Sequence, residues 1–321
     1  MDMRARRSVD LPVYTSPEAV VSDLNPGYPV FCVRPHEIKA VARRFLDGFP
    51  GDVLYAVKCN PEPHMLGALS EAGIRHFDTA SIAEVAKVGE QFPDATSYFM
   101  HPVKSRAAIL SAHKVYGVRY FVVDHVSELE KIASIIPPGL DTVIVVRLEV
   151  HYDGAVYELS SKFGAPLDEA VVLARDVLER GYNYGLSFHV GSQCLDAGGF
   201  ELGLDLVRQA LAGIDSAPCC VDVGGGFPAH YVNSQGAALE TYFAAIKYGL
   251  ASLSLPPDCR VMCEPGRGLC ADGESLITQV HLRKSDALYL NDGMYGSFIE
   301  EKLGLQLPAR TVASRQFSAQ Q

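Results

Sequence analysis

The chain has 321 residues, 48% of them hydrophobic, enough for one large domain or a large domain with a small one beside it. Its net charge of −10 excludes a basic face for nucleic acid, and Arg4, Arg6 and Arg7 near the start do not offset it. No apolar stretch approaches a bilayer span, and MDMRARRSVDLP lacks the apolar segment of a signal peptide, so the sequence predicts a cytoplasmic protein with no membrane partner.

In chain order, PVFCV (29–33) reads as a strand standing before a regular pattern. Eight apolar runs then recur at steady intervals: VLYAVK (53–58), RHFDTA (75–80), SYFMHP (97–102), RYFVVD (119–124), TVIVVRLEV (142–150), YGLSFHV (184–190), CCVDVG (219–224) and RVMCEP (260–265). Between them, IAEVAKVGEQF (82–92) and FELGLDLVRQALAGI (200–214) carry apolar residues at three- and four-residue steps, as crossover helices do. Eight strand-then-helix units favour a closed (β/α)8 barrel over an open sheet.

After the last unit, SLITQVHLRKSDALYLND (275–292) alternates apolar and polar residues, predicting two half-buried antiparallel strands, and TVASRQFSAQQ (311–321) reads as a frayed tail. The predicted organisation is a segment 1–36 with the first strand of a small β domain, a TIM barrel over 37–270, and the rest of an incomplete β domain over 271–321. Eight scattered cysteines (Cys32, Cys59, Cys194, Cys219, Cys220, Cys259, Cys263, Cys270) show no zinc-type spacing, which predicts reduced, mostly buried thiols and no metal.

Polar residues close most of the strands, and in a barrel these ends share the face where chemistry sits. Lys58, in YAVKCNPEP (55–63), is an ammonium at the end of an apolar run, where it has no reason to be unless it is used. Three glycines in VDVGGGFP (221–228), Gly224, Gly225 and Gly226, let backbone N–H groups converge on an anion; the alternative is a tight turn. EPGRG (264–268) adds Gly266 and Arg267, whose guanidinium can fork onto phosphate oxygens, and loops after strands seven and eight form the usual phosphate cradle of this barrel. His189 is either a core histidine or an imidazole lying on a planar ligand, and Glu264 either pairs with Arg267 or keeps a bound pyridine nitrogen protonated.

YAVKCNPEP, FDTAS (77–81), SKFG (161–164), SFHVGSQ (187–193), DVGGGFP, CEPGRG and YLNDGMYGSF (289–298) together resemble the fold-type III pyridoxal-phosphate decarboxylases of ornithine, lysine, diaminopimelate and arginine, in order over residues 29–298. HVGSQ and NDGMYGSF resemble the ornithine and lysine branch. The resemblance implies pyridoxal 5'-phosphate as cofactor, Lys58, His189 and Glu264 as catalytic residues, and Lys58 as the Schiff-base lysine, its pKa lowered by burial near Arg147. It places Asp78 and Arg147 around that linkage with Glu84 in support, His189 on the ring, Glu264 at the pyridine nitrogen, and Ser192, Gly224, Gly225, Gly226, Gly266 and Arg267 around the phosphate.

The reaction so implied is loss of CO2 from a basic amino acid to give a diamine, in a homodimer with a small-molecule substrate. Glu264 argues against a racemase, since alanine racemases resemble this scaffold but set an arginine against the ring nitrogen. Family members continue past the NDG-YGSF segment to a Cys-Asp motif, supplied to the partner's site across the dimer, and to a later tyrosine; no cysteine follows Cys270 and no tyrosine follows Tyr295, so the activity of this chain is an open expectation. A catalytically silent regulator resembling antizyme inhibitors and a cofactor carrier resembling single-barrel homeostasis proteins are the alternatives.

Overall fold

The structure, a computed structural model, describes residues 11–139 and 141–312. Arg4, Arg6, Arg7 and residues 313–321 of the expected frayed tail lie outside the described residues. The chain divides into two compact units, residues 34–273 and residues 1–33 with 274–321.

The larger unit is a closed parallel barrel of eight strands: β1 (Asp52–Ala56), β2 (His76–Thr79), β3 (Thr96–Phe99), β4 (Tyr120–Val123), β5 (Val143–Leu148), β6 (Asn183–Phe188), β7 (Cys220–Asp222) and β8 (Arg260–Cys263). Each of the eight expected runs supplies one strand. Residues such as Leu54, Phe77, Phe121, Val145 and Leu186 are fully buried, as strands packed on both faces require. Inside the barrel Leu54, Tyr98, Met100, Val122, Val143, Val145, Cys220 and Met262 form one apolar cluster.

Helices follow the strands because their apolar residues fall on one stripe: Val85 and Val88 of Ile82–Gln91, and Phe200, Leu204, Val207 and Ala210 of Gly198–Ala212, are buried. The N-terminal end of the barrel is sealed by a polar plug. Arg260 donates to Asp52 Oδ2 at 2.6 and 2.9 Å and to Tyr120 Oη at 2.9 Å, tying β8 to β1 and to β4 across the barrel.

In the smaller unit Val30–Val33 pairs antiparallel with Glu274–Ile277, and Val280–Lys284 forms a hairpin with Ala287–Leu290. The two half-buried strands expected over 275–292 are therefore three short ones, and the hairpin strands are exposed along their whole length. Among the described residues no other layer covers this two-stranded ribbon, so it has no face to bury, whatever its alternation. Among the described residues no helix is long and apolar enough to cross a membrane, and no group of three His, Cys, Asp or Glu side chains could hold a metal ion.

Candidate active site

The carboxyl ends of the strands gather most of the residues singled out above. Lys58 lies in a single helical turn, Val57–Cys59, directly after β1. Asp78 sits on the neighbouring β2, paired in register with Ala56, and its Oδ2 is 2.9 Å from Lys58 Nζ. Asp78 is buried and its other oxygen, Oδ1, meets no donor.

The expectation that Lys58 would be driven toward the neutral amine fails. Burial does pull the ammonium down, but the carboxylates of Asp78 and Glu264 outweigh it and hold its pKa above the ordinary lysine value. Half of the Lys58 side-chain surface (50%) is open at the barrel mouth, so this ion pair is partly screened by solvent. Arg147, on β5, contributes a second cation, lies over the Phe163 ring at 5.6 Å, and keeps Nε buried without an acceptor.

His189 follows β6 and accepts the Gly191 N–H at Nδ1, 3.0 Å away. Burial, then Arg147 and Lys58, push its pKa well below the ordinary histidine value, so the ring is neutral and its proton sits on Nε2. A Cβ on Gly225 would stand 3.0 Å from that Nε2 and 2.6 Å from the Glu264 carbonyl oxygen, which shows how closely the glycine turn follows the imidazole. Gly224 and Gly226 have φ of 68° and 110°, a backbone that side-chain-bearing residues avoid.

Phe227 fixes the far end of this turn, its ring centroid 4.9 Å from Phe200, 5.2 Å from Phe45 and 6.1 Å from Phe243. Beside the turn, Arg267 opens the short helix Arg267–Cys270 after Gly266, donates to Tyr231 Oη, and has Nη2 3.4 Å from Ser192 Oγ. Ser192 and Arg267 thus place a hydroxyl and a guanidinium together beside the glycine turn.

Glu264 follows β8 directly, with Oε1 buried and no donor on it. Burial, then Asp222 and Asp78, push its carboxyl well above the usual carboxylate range. Glu84 acts through the backbone: its oxygens accept from Ala80 N–H (2.8 Å) and Ser81 Oγ (3.2 Å), while Ser81 Oγ accepts from Glu84 N–H (3.3 Å). This capping box starts the helix after β2 and so fixes the turn that follows Asp78.

Two features were given no role by the sequence reading, although Asp222 stood among its polar strand ends. Asp222, the last residue of β7, is fully buried and its side chain contacts that of Glu264; the signal was the acid at the head of DVGGGFP. Cys59 and Cys270 are interacting neighbours beside Lys58, which nothing in their spacing announces.

Pyridoxal phosphate, the cofactor implied by the resemblance, can be tested against these residues, and they fit on two counts. A hydroxyl donor, Ser192, stands beside a cationic guanidinium, Arg267, a pairing that suits a phosphate. Buried Asp78 Oδ1, Arg147 Nε and Glu264 Oε1 have polar capacity that the protein leaves unused, in a site that already offers a lysine amine.

Comparison with known proteins agrees with this geometry. Residues 36–271 match the family described as pyridoxal-dependent decarboxylase, pyridoxal binding domain. The lysine/ornithine decarboxylase of Selenomonas ruminantium is 35% identical over 77% of this chain and 63% of that protein, and the ornithine decarboxylase of Panagrellus redivivus 33% over 76% and 60%. The crystal structure of a lysine/ornithine decarboxylase from Vibrio vulnificus complexed with putrescine superposes with a TM-score of 0.77 at 29% identity, covering 91% of this chain and 78% of the other. The chain spans about 60% of the length of the curated relatives it matches. With the family match covering most of the chain, and with a lysine, a neutral imidazole and a glycine turn gathered at the mouth of its barrel, this protein belongs to the pyridoxal-dependent decarboxylase family.

Proposed function

We propose that the chain uses pyridoxal 5'-phosphate to decarboxylate a basic amino acid, ornithine or lysine, to the corresponding diamine. The observation that carries this reading is the buried, donor-free Glu264 Oε1 in electrostatic contact with Lys58. A carboxyl in that position suits a protonated pyridine nitrogen, and the residues around it suit the rest of the group. Lys58 is the amine that holds the cofactor, His189 lies against one face of the ring, and the Gly224–Gly226 backbone, Ser192, Gly266 and Arg267 hold the phosphate. Asp78 and Arg147 surround the lysine.

Pyridoxal phosphate, when bound, supplies a sink for the electron pair left behind by departing CO2. The protein's own part is proton handling and orientation. Lys58 must give up a proton from Nζ to act as an amine, and Asp78 Oδ2, 2.9 Å away, is the group placed to take it. His189 stays neutral and so adds no positive charge to a site that already holds Lys58 and Arg147. The capping box at Ser81 and Glu84 holds the strand end that carries Asp78. The partners in this reading are a small-molecule amino acid and a second copy of the chain in a cytoplasmic homodimer, which light scattering tests directly.

A second reading, a barrel that holds the cofactor without turning substrate over, draws on the fact that the matched residues 36–271 are the pyridoxal-binding part of the family. One experiment separates the two. Purified protein is loaded with pyridoxal phosphate, dialysed, and its cofactor absorbance recorded beside Lys58→Ala; CO2 release is then measured from ornithine, lysine, arginine and diaminopimelate. A retained band that Lys58→Ala loses, with CO2 from ornithine or lysine, is the expected result. A band without CO2 leaves the carrier, and no band in the native protein refutes both.

A further inference from the structure

Asp222 has no part in the function above, yet it is placed where it must affect Glu264. Its register partner on β8 is Met262, two residues before Glu264. Backbone bonds lock the two strand ends together: Val223 N–H donates to Met262 O at 2.9 Å and Glu264 N–H to Gly224 O at 2.8 Å. Asp222 Oδ1 accepts the Gly224 N–H at 2.8 Å, so this carboxylate also braces the first residue of the glycine turn.

The remaining oxygens raise a question of protons. Asp222 Oδ2 and Glu264 Oε1 are both buried, and no N–H or O–H donor reaches either. The two side chains nevertheless stand in hydrogen-bonding contact. Two ionised carboxylates have no donor between them and repel, so the contact is a bond only when one of them carries a proton.

The surrounding charges call for the same proton. Asp78 from β2, Lys58 from the turn after β1 and Arg147 from β5 face the pair, while His189 after β6 is neutral and the thiols of Cys220 and Cys263 are held protonated. Asp124, after β4, also draws on Arg147, so the carboxyl groups of Asp78, Asp124, Asp222 and Glu264 outnumber the two cations even with one proton on the pair. Without it, the cluster buries a further negative charge that nothing offsets. Burial, then Asp222, raise Glu264 well above its ordinary value, while the Gly224 N–H works to keep Asp222 ionised, which puts the proton on Glu264.

We propose that Asp222 is a positioning residue, and that in the unloaded protein Asp222 and Glu264 hold one proton between them as a single acid. The inference rests on the reading of Glu264 as the partner of a ring nitrogen. The shared proton is the one such a nitrogen would take: an O–H bond at Glu264 breaks, an N–H bond forms, and both carboxylates are left ionised beside the new cation. Asp222, fixed by Gly224, keeps the Glu264 carboxyl aimed before and after that transfer.

Infrared spectroscopy of the unloaded protein at neutral pH tests the shared proton without any cofactor. A protonated-carboxyl C=O stretch that shifts in D2O is expected in the native chain and is lost in both Asp222→Asn and Glu264→Gln, because either amide leaves the remaining carboxylate no second carboxylate to share a proton with. Absence of the band from the native protein, or its survival in either variant, overturns the proposal; failure of the cofactor reading would show separately, as no binding of pyridoxal phosphate to the native protein.

Equilibrium dialysis with pyridoxal phosphate gives the second readout. Each single variant is expected to bind about tenfold more weakly, as for one lost hydrogen bond to a charged group, and the double variant no more weakly than either. Additive losses would show two independent residues and overturn the pairing.

Discussion

Asp78→Asn isolates the contact that governs the protonation of Lys58. The two groups are 2.9 Å apart, and the ammonium is held above its ordinary pKa against the pull of burial. Two unit charges at that separation attract by about 6 kcal/mol at an effective dielectric constant of ~20. That figure is an upper bound here, because half of the Lys58 side chain (50%) is exposed and solvent screens the pair. A discounted loss of roughly 1.5–3 kcal/mol lowers the Lys58 pKa by about one to two units, since removing the anion destabilises only the charged form.

At a pH below both values, the neutral amine fraction then rises by about ten- to a hundredfold. The assay is the rate of acetylation of Lys58 in the unloaded protein, followed by peptide mass mapping with the exposed Lys247 as internal reference. A ratio that is unchanged or lower in Asp78→Asn would refute the reasoning.

Three further outcomes follow from the same structure. Gly225→Ala, whose Cβ would stand 2.6 Å from a carbonyl oxygen that cannot swing aside, is expected to weaken pyridoxal phosphate binding by about tenfold or more with the fold kept; unchanged affinity in dialysis contradicts the cradle. Burial pulls Lys104 down to about 8, although its Nζ donates to Val122 O at 2.6 Å and His101 O at 2.9 Å and lies 3.1 Å from Glu128. Its folded value lies below its unfolded one, so stability relative to Lys104→Met is expected to rise by about 3 kcal/mol between pH ~8 and ~10.5; urea denaturation at both ends checks this, and a flat or falling difference rejects it. Cys59 is exposed, and Cys270, Lys58 and Arg267 hold its thiol below the ordinary value, so iodoacetamide is expected to label it faster than any other cysteine and pyridoxal phosphate to slow the labelling; uniform labelling across the eight counts against it.

Local sequence carried the barrel because strands buried on both faces leave continuous apolar runs, and the runs at 53–58 and 219–224 each became a strand with its chemistry at the end. The positions of Lys58, His189 and Glu264 were legible for the same reason: the fold puts every strand end on one face. The state of Lys58 was not, because it depends on Asp78, whose distance from the ammonium is decided by the pairing of β1 with β2 and not by sequence spacing. Ser81 and Glu84 show a pattern whose cap was readable and was not read, since S-x-x-E before an apolar helix announces one. The Cys59–Cys270 contact joins residues at opposite ends of the barrel sequence, and only the closed ring of strands makes them neighbours.

The junction of β8 with β1 sets the order in which this molecule can be made. Asp52 and Arg260 are 208 residues apart, and until Arg260 has left the ribosome β1 has one edge with no partner strand. A barrel closed by so distant a pair pays its largest loop entropy last, so its early strands wait as an open sheet through most of synthesis. The Asp52–Arg260–Tyr120 plug is therefore a latch on biogenesis, and weakening it would show first as aggregation of newly made chains, before any change in the finished site.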